Sequence, residues 1–298
     1  MIDTAWDEYR GWALRARELQ SSSQRWNRAA LICAALAAAL GAAATQTAGD
    51  PSAGKVLSLL AAVAAALTPI LGKEILSLGA EAKWIRARAT AEAIKSECFR
   101  FAAGAGDYAG ADAQEKFAEH LSQLSEEARK AQLFALQDPV PASGDRRRPS
   151  LPLDPKWYMA SRIDDQIKYY GNKQQQHEQA VTRLRYVAFG ASVLAALCGA
   201  AGLTNQQAFG SWVGALMTIA TAVAAYGLLD RRQYLAASYG AMAMSLARIK
   251  GLAGSLTLQA LVIRAEDVIE SEHAAWIERM TQTIPAPAAP AGNAGSRI

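Results

Sequence analysis

From Tyr186 to Leu229 the chain carries no Asp, Glu, Lys or Arg. This run of 44 residues is about twice the ~20 apolar residues that a helix needs to cross a bilayer. Its centre, Thr204-Asn205-Gln206-Gln207, is polar and flanked by Gly202 and Gly210, which is turn chemistry. The run therefore predicts a helical hairpin with spans at 186–203 and 209–229. Arg183 and Arg185 stand before it, and Asp230, Arg231 and Arg232 close it. The competing reading is a hairpin buried in a large soluble helical protein. Such helices normally keep a polar face, and neither of these does.

A second, weaker copy precedes it. Ala29–Ala44 and Val56–Leu71 are apolar and Ala-rich, and TQTAGDPSAG at 45–54 forms the turn between them. The spans are expected at about 29–45 and 55–72, with Pro69 a candidate kink in the second. Arg28 to Lys73 and Arg185 to Asp230 are each 45 positions apart, and an offset of 157 residues relates the copies. In each, an aromatic- and Gln-rich helix leads in and a charged helix leads out. This is a tandem duplication of a two-span unit, at 1–137 and 157–284. The segment 138–156, with five prolines, is the expected linker, and 285–298 is a Pro/Ala/Gly tail expected to be disordered. The fold class is all-α: an integral membrane protein with four transmembrane helices, as two parallel-repeat hairpins plus long cytoplasmic helices.

Charge supplies the orientation. Arg25, Arg28, Lys73, Lys83, Arg86 and Arg88 flank the first hairpin, and Arg183, Arg185, Arg231 and Arg232 flank the second. The turns hold only Asp50 and Lys55. The positive-inside rule then puts both turns outside and both termini in the cytoplasm. Trp26, Arg28, Arg185, Tyr186, Arg231 and Arg232 sit where interfacial anchors belong. The net charge of +4 is accounted for by orientation and lipid headgroups, so nucleic acid is not an expected partner. The N-terminus, MIDTAWDEYRGWALRARELQ, is helix-like rather than a signal sequence. Cys33, Cys98 and Cys198 form no framework and are expected to be free thiols.

Outside the spans, Glu74–Ala103 is expected to continue the second span as one rod, broken by GAGDYAG at 104–110. Ala111–Gln137 reads as an amphipathic helix with Phe117, Leu121, Leu124, Ala128 and Leu133 on one side. Leu256–Met280 reads as another, with Leu258, Leu261, Ala265, Val268 or Ile269, Trp276 and Met280 at helical spacing.

Chemistry is scarce. His120, His177 and His273 lie on separate charged helices without a second ligand at metal spacing. Asp164-Asp165 and Glu266-Asp267 are carboxylate pairs expected to be solvated helix charges. No phosphate loop, nucleophile elbow or kinase signature occurs. No enzyme, catalytic residue, metal or cofactor is expected. No ionisable residue lies mid-span, so a charged filter or proton relay has no candidate. Ser58, Thr68, Ser192, Thr218 and Thr221 remain as candidate pore-lining residues. The alternative for each is a bond to its own backbone or to a neighbouring helix.

The segment WYMASRIDDQIKYYGNKQQQHEQAVTRLRY at 157–186, followed directly by a hairpin, resembles the SLATT domains, the SMODS- and SLOG-associating two-transmembrane effector domains. Their range overlaps a bacterial family long described as of unknown function. The matching features are Tyr158, Arg162, Asp165-Gln166, Tyr169-Tyr170, Lys173 and Arg183-Leu184, with Glu266, Glu270, Glu272-His273 and Trp276 near the end. The first half resembles a sister type through Trp84, Arg88, Glu92, Lys95 and Glu97. The resemblance implies an oligomeric channel or pore-forming effector in bacterial defence, acting with a nucleotide-signalling partner protein. The second reading is a non-conducting scaffold or sensor whose exposed lead-in aromatics, Trp157, Tyr158, Tyr169 and Tyr170, bind a partner protein.

Overall fold

The computed structural model describes residues 1–47, 50–76, 78–130, 133–136, 145–229 and 232–281; for 72–76, 78–82, 227–229 and 272–281 it describes the backbone alone. Every α- or 3-10 element follows the order that the apolar runs and breakers impose. Helices are α1 (Ile2–Thr45), α2 (Pro51–Leu76), α3 (Leu78–Ala103), α4 (Ala113–Lys130), α5 (Pro155–Tyr158), α6 (Asp165–Gly202), α7 (Gln206–Leu229), α8 (Arg232–Leu252) and α9 (Leu258–Thr281). A π-helical turn, Met159–Asp164, joins α5 to α6, and the described residues contain no strand. Four stretches are long and apolar enough to cross a membrane: Ile2–Thr45, Pro51–Leu71, Pro155–Gly202 and Gln206–Tyr226. The protein is an all-α membrane protein.

Local chemistry starts the helices. Asp50 accepts from the Ser52 and Ala53 amides at 3.0 and 3.2 Å, with Pro51 at the first helical position of α2. Asn205 caps α7 through the Ala208 amide at 3.1 Å, and Asp154 caps α5 through that of Lys156 at 3.0 Å. Thr257 does the same for α9, accepting from Ala260 at 3.2 Å. Gly104 and Gly106, with φ of 59° and 62°, make the break after α3, where a Cβ would be strained. Pro69 lies inside α2 without ending it.

The packing repeats with the sequence. In the first half α1 packs on both α2 and α3, and α3 on α4; in the second α6 packs on α7 and α8, and α8 on α9. Lead-in helix and first span are one continuous helix in each copy, α1 in the first and the run from α5 through α6 in the second. The most extensive contacts between the halves are those of α1 with α7 and of α3 with α9.

These neighbours define two regions with different packing. The four spans stand side by side as an open row, α2–α1–α7–α6. At its seam Gln46 donates to the Gln207 carbonyl at 3.0 Å and to Ser211 Oγ at 2.9 Å. Only 6–17% of each apolar window is buried within the chain. The charged ends, by contrast, condense into one head whose core is shared by both halves. Trp6, Ile94, Phe99, Phe117, Tyr158, Ile163, Leu246, Val262 and Ile269 are all buried there, and Phe99 meets the Trp6 and Tyr158 rings edge-on at 5.9 and 5.5 Å.

One expectation needs correction. The amphipathic helix expected over 111–137 is described as far as Lys130 and does not continue through 133–136, where the chain is drawn along α1: the Leu136 amide donates to the Gly11 carbonyl at 3.2 Å. Leu133 still reaches the core, 1% exposed, from a non-helical backbone. The described end of the linker packs against the first half. Leu153 is buried and donates its amide to the Ala102 carbonyl at 3.1 Å, and Asp145 accepts from the Trp6 indole at 3.1 Å. Ser77, Asp230, Arg231, linker residues 137–144 and the tail from 282 onward lie outside the described residues.

Candidate functional site

The head holds a fully enclosed charge. Glu266, at the middle of α9, is 0% exposed, and Arg162 beside it is 1% exposed. The guanidinium donates twice, Nε to Oε1 at 3.0 Å and Nη2 to Oε2 at 2.6 Å. Tyr158 donates its hydroxyl to Oε1 at 2.8 Å, and Ser96 of α3 donates to Oε2 at 2.8 Å. The carboxylate thus has four donors, the condition for retaining a charge away from water. A second carboxylate, Glu92, lies 3.9 Å from Arg162 Nη1, and the guanidinium sits over the Phe99 ring at 4.9 Å.

The π-turn makes this geometry. Its wider turn repeats at i and i+5, so Tyr158, Arg162 and Ile163 all face the core (0%, 1% and 0% exposed) where an α-helix would splay them. Burial, then the neighbouring Glu266 charge, holds the Tyr158 hydroxyl well above the ordinary phenol range, so it acts as a donor. Burial opposes the Arg162 charge, but Glu266 more than offsets it and raises the guanidinium pKa.

Glu266-Asp267 is therefore not a pair of solvated charges. The two side chains diverge: Asp267, 59% exposed, joins Glu97 and Glu270 around Arg100 at 2.7–2.8 Å. Asp164 is partly exposed and pairs with Lys250 at 2.6 Å. The lead-in aromatics are corrected too. Tyr158 and Tyr170 are core residues, and Trp157 and Tyr169 pack against that core, so they form no exposed docking face. Each hydroxyl or ring there is more stable packed than presented to water.

A cleft of about 210 Å³ lies between the halves, lined by Arg17 of α1, Arg88, Glu92 and Lys95 of α3, Arg147 of the linker and Tyr169 of α6. Arg88 donates to the Tyr169 hydroxyl at 3.2 Å. Asp145 is opposed by burial but is pulled down to about 2 by Arg147, its amide and the Trp6 indole.

The candidate pore residues are dispersed. Ser58, Ser192, Thr218 and Thr221 are exposed within the chain, and Thr68 is half-buried. Thr68, Ser192 and Thr218 donate to the carbonyls of Ala64, Ala188 and Gly214, four residues back on their own helices. Trp26, Arg28, Arg185 and Tyr186 are exposed where α1 and α6 pass from charged to apolar sequence, and Arg232 is half-buried at the start of α8. Of the histidines, His120 Nδ1 lies 2.8 Å from the Tyr108 hydroxyl and 3.2 Å from Glu97. Among the described residues no three His, Cys, Asp or Glu side chains gather as metal ligands. Cys98 is buried, and burial followed by the nearby Glu97 charge pushes its thiol far up.

Residues 158–276 match the family described as SMODS and SLOG-associating 2TM effector domain 1. Residues 10–116 match a second family, described as a protein of unknown function (DUF4231). The chain is a SLATT-type two-domain protein. The two matched segments coincide with the two packing units, and the Glu266 network takes Ser96 and Glu92 from the first and Tyr158, Arg162 and Glu266 from the second. No curated protein and no solved structure matches the chain. The SLATT domain is a two-transmembrane effector domain, so a membrane effector role follows for this tandem protein.

Sequence reasoning named Arg162 and Glu266 only as features of the resemblance, read Glu266 as a solvated charge, and did not single out Ser96. A signal was present: Glu266 falls four residues after Val262 and three before Ile269, in register with the apolar stripe of α9.

Proposed function

We propose that this SLATT-type protein is a non-enzymatic, homo-oligomeric channel or pore-forming effector of the bacterial inner membrane, with both termini cytoplasmic and acting in defence alongside a nucleotide-signalling partner protein. The observation that carries the reading is the open row of spans. Four helices standing α2–α1–α7–α6 enclose nothing by themselves, and no more than 17% of any apolar window is buried within the chain. Several copies placed edge to edge, α6 of one against α2 of the next, turn such rows into a closed wall. Thr218 and Thr221 lie on an uncovered face of α7, inside the row. In the ring they supply a mildly polar stripe, and the surrounding Ala, Val and Leu close the passage by dewetting. Ala and Gly on the spans permit the close helix approach that such edges need.

The head is the controlling part. Its core unites both halves, and α1 and α6 run from it into the spans without a break, so a change in head packing is transmitted to the row. The scaffold reading is weakened, because two of its four aromatics, Tyr158 and Tyr170, are buried and Trp157 and Tyr169 pack against the core half-exposed.

Purified protein in liposomes is expected to release a small trapped dye or ions. In detergent it is expected to run as a discrete oligomer. A monodisperse monomer without flux, alone or with added partner protein, refutes the reading, and stoichiometric capture of a cytosolic protein without flux replaces it with the scaffold.

A further inference from the structure

We infer that the cleft between the two halves of the head is a binding site for a soluble phosphate-bearing anion. Four cations line it, Arg17, Arg88, Lys95 and Arg147, against the single carboxylate of Glu92. Two of the four have no counter-ion among the described residues: no carboxylate stands within 4 Å of Arg17 or Lys95, and the Lys95 ammonium sits instead over the Tyr9 ring at 5.2 Å. The other two are held in place. Arg88 is fixed by the Tyr169 hydroxyl at 3.2 Å, and Arg147 by Asp145 at 3.1 Å. Glu92 is itself drawn towards Arg162, 3.9 Å away.

Cations gathered in one concave site repel each other and raise the local concentration of anions. An anion with several oxygens relieves that repulsion, and the planar forks of Arg88 and Arg147 suit phosphate oxygens better than a monatomic ion. At about 210 Å³ the cleft is below the roughly 300–1,000 Å³ of drug-sized ligand pockets, so it takes a small phosphate group rather than a bulky molecule.

Its depth distinguishes a soluble anion from a lipid headgroup. Arg17 precedes Ala29, the first residue of the apolar run, by 12 positions on one continuous helix, which is about 18 Å at 1.5 Å per residue. The headgroup layer is only about 5–8 Å thick on each side of the hydrocarbon. Lining side chains come from α1 and α3 of the first half, the linker, and α6 of the second. A bound anion therefore bridges the halves. The inference goes beyond the channel reading, because binding is measured without conductance.

The test is calorimetric titration of pyrophosphate into the full chain in phosphatidylcholine nanodiscs. One saturable site per chain is expected, weakening as salt is raised. The Arg17→Gln/Lys95→Gln double variant is expected to bind at least about tenfold more weakly, two charge-assisted contacts being lost. A control that removes the exposed charges of Lys130 and Lys168 is expected to bind as the parent does. Arg17 is exposed and Lys95 is half-buried over the Tyr9 ring, so a far-ultraviolet melt identical to the parent's is the measurement that confirms that the double variant folds. Absence of a saturable site, or equal weakening in both variants, overturns the assignment. Loss of pyrophosphate binding when the discs contain phosphatidylglycerol overturns the soluble source and assigns the site to lipid.

Discussion

Glu266 is the residue at which the head is most exposed to a single change. Glu266→Ala removes the acceptor of four donors and leaves Arg162, 1% exposed, charged and facing Glu92 alone at 3.9 Å. Breaking one side of a buried ion pair costs about 3–5 kcal/mol, because the remaining charge keeps its desolvation penalty. At about 2–4 °C per kcal/mol for a domain of this size class, the melting temperature falls by roughly 6–20 °C. Glu266→Gln keeps the shape and the Oε1 acceptor but turns its amide towards Arg162 Nη2, so its loss is smaller and of the same sign. The assay is a circular-dichroism melt in detergent, with trypsin resistance of α9 as a second readout. The decisive variant is the apolar replacement Ser96→Ala/Arg162→Met/Glu266→Leu, which removes charge and donors together. It is expected to recover most of the loss, since a packed apolar set of similar volume is often as stable as the pair it replaces. A Glu266→Ala protein that melts with the parent refutes the reasoning, and so does a triple variant as unstable as the single.

Gly11 has no Cβ because the Leu136 carbonyl oxygen would stand 2.2 Å from it; Gly11→Ala is expected to release segment 133–136 from α1, seen as new proteolysis after Lys130 with loss of roughly 1–3 kcal/mol of stability. Cys98, buried and with its thiol pushed up, is expected to resist maleimide in the native protein and react on denaturation, while Cys33 and Cys198, half-buried on the spans, react with membrane-permeant reagents. In a Cys-free background, Asn205→Cys is expected to react with an impermeant reagent applied to the outside of intact cells, and reaction only after lysis reverses the proposed orientation.

The sequence made much of this molecule readable because membrane helices announce themselves by what they lack. Charge-free runs located the spans, and Asp50, Asn205 and the 104–110 glycines marked where helices start and stop. The duplication was visible in spacing alone and reappears as repeated packing, α1 on α2 and α3, then α6 on α7 and α8. The departure from helix at 133–136 was not visible. Local periodicity continues through Leu133, and what holds the chain along α1 there is a backbone bond to Gly11, more than a hundred residues away. The aromatic lead-in of α6 read as a surface for the same reason. Tyr158 and Tyr170 have charged neighbours in sequence, and their apolar neighbours come from other helices.

Sideways order among the spans was also beyond reach, and the cause is physical. An amphipathic helix names the face it buries, whereas Ala-rich spans are apolar all round, so their sequence states that they lie in lipid or protein without choosing a neighbour. The choice is made at the ends. Gln46 bonds Gln207 and Ser211 across the turns, and α3 meets α9 in the head through Ser96, Arg100, Glu266 and Glu270. These polar contacts at both ends hold α1 beside α7, which places α2 and α6 at the two edges of the row. The residues that decide the membrane arrangement are therefore the few polar ones at the ends of the spans and in the head, and substitution at the seam, Gln46→Ala with Ser211→Ala, acts on span order without altering any apolar residue.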